Sequence, residues 1–239
     1  MDQFIYDFIY EMGFLTQFVY IVSYLFFLYF VVGHAFIYIC RVLARKGWLE
    51  KISLKTFPRE QYLVEKKNAI ISIIIIAITG FFQFYFVRIS WIKLSENTLM
   101  NTIIGLIILN IWNEIHFFVI HRVLHTPFLM KHVHTVHHKS VIPSVFSAYN
   151  LHWFEAFLLS TVTISISFFI ELNFITLFIY PLNSLLINFA GHSNYKVKNN
   201  FINRFFFDFC IKHNNHHVKF NKHYGFLSGV LDKILARFK

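Results

Sequence analysis

The sequence predicts an all-α protein: an integral-membrane helical bundle of about 4–5 transmembrane helices, with a histidine-rich helical cap on its cytoplasmic side. Three observations lead there. Of the 239 residues, 56% are hydrophobic and only 14% charged, too little polar material to clothe a soluble domain of this size. Charge-free runs extend over residues 12–40, 68–87, 97–113, 156–170 and 172–195, and a bilayer core takes roughly 20 apolar residues per helix. Thirteen of the fourteen histidines lie from His116 onward, so the polar chemistry is confined to the second half.

Taken in order, the chain opens with Asp2, Asp7 and Glu11 and has neither the basic n-region nor the small-residue cleavage site of a signal peptide. The first apolar run is therefore expected to remain as a transmembrane helix. The stretch "RKGWLEKISLKTFPREQYLVEKK" (45–67) reads as a cytoplasmic loop with a surface helix after Pro58, its charges facing water. The second run spans on its own. The third reaches spanning length only by continuing through Glu114 to about Ile120, and the fourth and fifth read as a hairpin turning at Glu171-Leu172-Asn173. Five helices, or four and a re-entrant pair, both fit. With no Gly/Ser/Pro linker and no repeat, a single integral-membrane domain, 1–239, is expected. Residues 1–95 supply N-terminal membrane helices and 96–239 the region that carries the chemistry.

The formal charge is +10, which would suit nucleic acid, but its distribution has another explanation. With the N-terminus outside and five helices following, segments 41–67, 121–149 and 191–239 hold 8, 3 and 9 Lys and Arg, 20 of the 22. Only Arg88 and Lys93 fall outside. Membrane topology and anionic lipid account for that asymmetry, and no nucleic-acid partner is needed. The two cysteines, Cys40 and Cys210, form no CxxC pair and are read as packing residues.

The histidine spacing is the most specific signal. "HRVLH" sets His121 and His125 at i, i+4; "HTVHH" sets His134, His137 and His138 at i, i+3, i+4; "HNNHH" repeats that pattern with His213, His216 and His217. On a helix each set points to one face. Packing does not ask for three imidazoles on one turn, because each needs a polar partner and charged forms repel. Metal binding does, since neutral imidazole is a common ligand for iron, zinc and copper. One metal takes about three or four such ligands, and the boxes supply more. Two metal ions follow, with His192 in "GHSN" as a ninth ligand. His34, inside the first helix, reads as a packed histidine bonded across helices, and His116 and His132, which fall off these faces, as structural or outer-shell residues.

Glu114, His121 and His125 form one stripe at i, i+7, i+11. A carboxylate within a span is costly and tends to be functional, so Glu114 is expected to accept a ligand histidine's second N–H and fix its tautomer. HExxH, ExxH, GxSxG and GxxxxGK[ST] are all absent, which removes the zinc-protease, soluble carboxylate di-iron, serine-hydrolase and P-loop readings. A histidine-rich membrane metal transporter or metal-binding protein is the alternative; it predicts ionisable residues along a transmembrane path, whereas the helices after His138 carry only Glu155 and Glu171.

"E..FFVIHRVLH", "HTVHH", "LHWFEAF", "GHSN" and "HNNHH…HYG…LD", in that order, resemble the fatty acid hydroxylase/sterol desaturase superfamily over roughly residues 100 to 235. The resemblance implies a membrane-bound oxidoreductase with two iron ions that uses O₂, as a monooxygenase or desaturase does, on an unactivated C–H bond of a lipid. It carries metal-ligand and catalytic roles to His121, His125, His134, His137, His138, His213, His216 and His217, and a ligand role to His192. Glu114 stands where relatives usually have Asp, and Asp232 matches an acidic residue near the family's end. Three departures are visible: His223 in "HYG" where relatives read Asn-Tyr-Gly, His152-Trp153 in place of His-Pro, and a C-terminus without Phe-Gly-Thr. His152 and His223 are accordingly outer-shell candidates beside Glu114 and Asp232. The resemblance further implies a membrane lipid substrate. Because the chain has no nucleotide fingerprint or ferredoxin-like cysteines, an external electron donor, a reductase or small redox protein, is implied as well. Hydroxylase and desaturase remain equally open at this point.

Overall fold

The computed structural model describes residues 2–55, 58–199, 201, 208–220, 222–227 and 229–236. A short N-terminal helix, α1 (residues 3–11), precedes α2 (Phe14–Arg45), α3 (Arg59–Arg88), α4 (Leu99–Leu124), a histidine-bearing segment α5 (127–138), α6 (Trp153–Ser167), α7 (Phe174–His192), α8 (Asp208–Lys219) and α9 (Val230–Ala236). One two-stranded ribbon joins β1 (Leu49–Lys51) antiparallel to β2 (Tyr195–Val197), with Glu50 opposite Lys196.

Among the described residues, α2, α3, α4 and α7 are long and apolar enough to cross a membrane. Helix α6 is shorter and breaks at Thr161 into Trp153–Ser160 and Val162–Ser167. It nevertheless runs the height of the bundle. At one end Glu155 meets His134, and beyond the other Leu172 bridges Leu94 in the α3–α4 connection. The fourth apolar run is thus a broken traverse. The expected turn at residues 171–173 lies between it and α7.

Polar caps fix the helix starts at that far end. Thr98 accepts the Asn101 N–H at the start of α4, and Asn173 accepts the Thr176 N–H at the start of α7. Asn173 Nδ2 also donates to Thr102 Oγ1, 2.9 Å away, tying the two helix starts together. The helices cross closely at Gly105, where a Cβ would stand 2.6 Å from Thr176 Oγ1. Helix α1 closes the same end: Ile5, Phe8 and Ile9 pack with Phe84, Val87 and Phe174, while the Arg88 guanidinium donates to Ile9 O and Met12 O.

One expectation for 45–67 is corrected. The helix after Pro58 is not a separate surface element; it is the first turns of α3, a continuous 30-residue helix. Nor do all its charges face water. Glu65 is fully buried, accepting from Gln61 Nε2 (2.7 Å), Ser140 Oγ (2.7 Å) and Ser144 Oγ (2.6 Å). Nothing interrupts the helix between the charged stretch and the apolar run, so the carboxylate is carried inward onto the serines that follow the second histidine box.

Candidate metal centre

The first box leaves the bundle on the last turn of α4, where His121 is buried and His125 caps the helix end. Thr126-Pro127 then turns the chain, with Pro127 at the first position of α5, where its missing N–H costs nothing. Met130–His134 is wound as a π-helical turn before Thr135–His138 resumes α-helical winding. Such single π turns are frequent at functional sites. Helix α8 brings the third box from the C-terminal side, and His192 ends α7.

These elements gather all nine expected histidines into two nests. His121, His125, His134, His138 and His216 form one, and His137, His192, His213 and His217 the other; within each, one ring nitrogen per residue lies within 4.8 Å of the rest. The nests are interleaved. On a helix, i and i+4 differ by only about 40° around the axis, whereas i+3 and i+4 diverge by about 100°. His134 and His138 accordingly face the first nest while His137 faces the second; in α8, His213 and His217 face the second and His216 the first. The doubled His-His of the second and third boxes straddles two positions, which is sharper than the single-face reading of the spacing.

The inward atoms are Nε2. His121 Nε2 is 3.1 Å from His134 Nε2, His138 Nε2 is 3.1 Å from His134 Nε2, and His125 Nε2 is 3.1 Å from His216 Nε2. In the second nest His213 Nε2 lies 2.8 Å from His192 Nε2 and 3.2 Å from His217 Nε2. Four rings have their tautomer set from behind. His121 Nδ1 donates to Tyr224 O (2.9 Å), His216 Nδ1 to Lys222 O (2.7 Å), His192 Nδ1 to Asn188 O (2.8 Å) and His134 Nδ1 to Glu155 Oε1 (2.8 Å). A neutral imidazole that donates through Nδ1 carries a bare lone pair on Nε2. His121 and His134 therefore aim two lone pairs at each other across 3.1 Å, an arrangement that a cation between them relieves and a hydrogen bond cannot.

Electrostatics agree with a cationic occupant. Burial, followed by the neighbouring imidazoles, holds His137, His213 and His217 well below the ordinary histidine range and also lowers His138. Burial first, then His134, His216 and Arg122, brings His125 down to about 3. Burial brings His216 to about 4. All are neutral at pH 7 and available as ligands. Glu155 is 1% exposed, pairs only with His134 among the described residues, and leaves Oε2 without a hydrogen bond. A buried carboxylate so placed needs positive charge nearby. The donor set, all imidazole nitrogen, suits iron, zinc, copper or nickel, and the residues fit two such ions.

The outer-shell expectations divide. The carboxylate that accepts a nest histidine's N–H is Glu155 rather than Glu114, a residue the sequence marks only as one of two acidic residues in the helices after His138. The available signal was a carboxylate one position before the charge-free run 156–170. Glu114 instead accepts the Leu227 N–H at 2.7 Å, bracing the C-terminal segment. Asp232 braces it too, accepting the Tyr224 and Gly225 N–H groups at 3.0 and 2.9 Å, so it supports the residue whose carbonyl orients His121. His223 has φ 63°; Asn and His are both enriched in that left-handed region, which explains how His fits where relatives read Asn. His152 caps α6, accepting the Phe154 N–H through Nδ1 at 3.2 Å. Neither joins a nest. The departure at the C-terminus falls partly on residues 237–239, which lie outside the described residues.

The remaining histidines sit elsewhere. His116 Nε2 contacts Thr161 Oγ1 at 3.0 Å, His132 is exposed beside Phe128, and His34 bonds within its own helix to Phe30 O rather than across helices.

A cavity of about 580 Å³, mostly apolar, occupies the bundle between α2, α3, α6 and α7. Phe117, Ala148, Leu151, Leu159 and Asn188 line both this cavity and the small crevice against His121, His134, His137, His192 and His213. The two share these walls.

Fold and site thus define an integral-membrane helical protein with two adjoining histidine nests able to hold metal at the end of an apolar chamber. Residues 106–236, over half of the chain, match the fatty acid hydroxylase family model, and the chain belongs to that family. Over 137 residues it is 28% identical to the Delta(7)-sterol 5(6)-desaturase of Leptosphaeria maculans, a match covering 50% of this chain and 33% of that protein. No solved structure shows a significant match.

Proposed function

We propose that the chain is a membrane-bound di-iron oxygenase that uses O₂ and externally supplied electrons to hydroxylate or desaturate a lipid. The observation that carries this reading is the pair of interleaved nests, five and four histidines, in four of which an acceptor behind Nδ1 turns the Nε2 lone pair inward. His121, His125, His134, His138 and His216 would hold one iron; His137, His192, His213 and His217 the other. Bound there, the irons would activate O₂ for C–H cleavage, a cofactor's chemistry rather than the protein's.

The protein's part is positional. Glu155, Tyr224 O, Lys222 O and Asn188 O orient the rings, and Glu114 and Asp232 hold the segment that carries Tyr224. The apolar chamber keeps water away and presents a lipid carbon to the nests. The relative from Leptosphaeria maculans is named for removing hydrogen from a sterol, in keeping with a lipid substrate. Insertion of one oxygen atom consumes O₂, two electrons and two protons and releases one water, so a reductase or small redox protein completes the system. Twenty of 22 Lys and Arg fall at the histidine end under the topology drawn from charge; this supports a cytoplasmic site within one domain, 1–239, whose N-terminal helices form its scaffold.

Metal analysis of anaerobically purified protein, combined with O₂ uptake in the presence of reductant, tests the proposal. Iron near two per chain and lipid-dependent O₂ uptake are expected. Stoichiometric zinc, with no activity after iron reconstitution, overturns it.

A further inference from the structure

Two buried polar side chains on the chamber wall have no hydrogen-bond partner, the Tyr180 hydroxyl and the Gln83 amide, and the amide leaves two atoms unmet. Gln83 lines it, is 2% exposed, and has no hydrogen-bond partner at either Nε2 or Oε1. A buried amide with neither donor nor acceptor met is rare in native structures and calls for an occupant. Its surroundings are apolar: Phe8, Phe84 and Phe174 pack together beside it on the chamber wall.

Two further features restrict what that occupant is. Among the described residues, no Asp, Glu, Lys, Arg or His lines the chamber. A carboxylate or phosphate drawn in would lie desolvated without a counter-charge, which is prohibitive; an uncharged hydroxyl would meet both halves of the amide. The second feature is position. Ser72 Oγ approaches Leu151 O at 3.5 Å, and Leu151 lines both the chamber and the histidine crevice. From Ser72 to Gln83 is eleven residues along one helix, or about 16 Å. Gln83 thus marks the end of the chamber remote from the histidines.

We infer that the chamber binds a neutral lipid alcohol with its hydroxyl on the Gln83 amide and its apolar end, about 16 Å away, against the histidine nests. This deepens the oxygenase reading and rests on it: the substrate class becomes an uncharged alcohol, and the carbon presented to the metals is far from the hydroxyl. A free fatty acid and the chain of a phospholipid are the occupants it excludes.

The test uses the full chain, metal-loaded, in detergent micelles, with paired probes: cholesterol against cholestane, 1-octadecanol against octadecane, and stearate as the charged control. For at least one pair the alcohol is expected to bind about tenfold or more tightly than its hydrocarbon twin, about 1.4 kcal/mol. Gln83→Leu should shrink that difference to about twofold or less while holding or raising the melting temperature of the unliganded protein, because it removes an unsatisfied buried amide. Equal binding of alcohol and hydrocarbon by the unaltered protein would mean that water satisfies Gln83, and overturns the inference. So does tighter binding of stearate, or a Gln83→Leu protein that melts earlier yet keeps its preference. O₂ uptake separates the two levels. Lipid-dependent uptake without preference for an alcohol overturns this inference alone, whereas alcohol binding with no metal-dependent uptake supports the site and removes the oxygenase reading.

Discussion

His134 Nδ1 lies 2.8 Å from Glu155 Oε1, with both side chains buried. The contact does three things. It fixes the ring so that Nε2 faces His121 and His138, it raises the basicity of that nitrogen, and it places a negative charge beside the nest. Glu155→Gln keeps an acceptor but loses the charge; Glu155→Ala loses both. The expected order of metal retention against a chelator is wild type, then Gln, then Ala, with Ala weaker by about 10- to 100-fold. Unchanged retention in the alanine variant would show that the pairing is dispensable.

Because the boxes exchange their middle histidines, single substitutions should act on different ions. His216→Ala removes a ligand from the five-histidine nest and His137→Ala from the four-histidine nest. Each is expected to abolish activity and to lower metal content from two toward one per chain. His34→Ala, whose ring bonds to Phe30 O on its own helix, should leave both near normal. Equal losses in all three would point to misfolding instead of lost ligation.

The sequence carries the ligands more fully than their supports. Box spacing names eight of the nine nest histidines, because 3.6 residues per turn leaves few other reasons for HxxHH, and His192 is named by its place in "GHSN" at the end of the last apolar run. The partition into nests needs the relative placement of α4, α5 and α8, which spacing within one helix does not encode. Three of the four outer supports, Tyr224 O, Lys222 O and Asn188 O, are backbone carbonyls and carry no residue-type signal. Glu65 and Glu155 were obscured for opposite reasons, one by the charges around it and one by the apolar run around it. The apolar runs similarly locate the helices, yet only the Leu94–Leu172 bridge and the Glu155–His134 contact show that the short, broken α6 traverses the bundle.

Glu65 anchors the segment after the second box to α3. It accepts from Ser140 and Ser144, the Ser140 N–H donates to His137 O at 3.1 Å, and Asn150 Nδ2 donates to Ser140 Oγ at 3.0 Å. Glu65→Ala strands several buried donors and should cost on the order of 3 kcal/mol, read as a lower melting temperature in detergent. Glu65→Gln, which still accepts, should recover part of that loss. An alanine variant as stable as wild type would mean that the serines find partners without Glu65.

The buried imidazoles also fix a pH dependence. Burial holds His216 at about 4, and burial with neighbouring His134, His216 and Arg122 holds His125 at about 3, whereas an unfolded chain titrates near about 6.5. Above that value both states are neutral and the two groups are indifferent to pH. Below it the unfolded chain takes up protons that the folded chain refuses, so stability falls as the pH drops, until the folded groups protonate near about 4 and 3. Each group can contribute up to about 1.4 kcal/mol per pH unit across its window. Metal-free protein is therefore expected to hold a flat melting temperature above about pH 7 and to lose it steeply between about pH 6.5 and 4. Metal-loaded protein should shift the fall to lower pH, because ions and protons compete for the same lone pairs. A melting temperature of metal-free protein unchanged down to about pH 4.5 would contradict the neutral, inward-facing state of these rings.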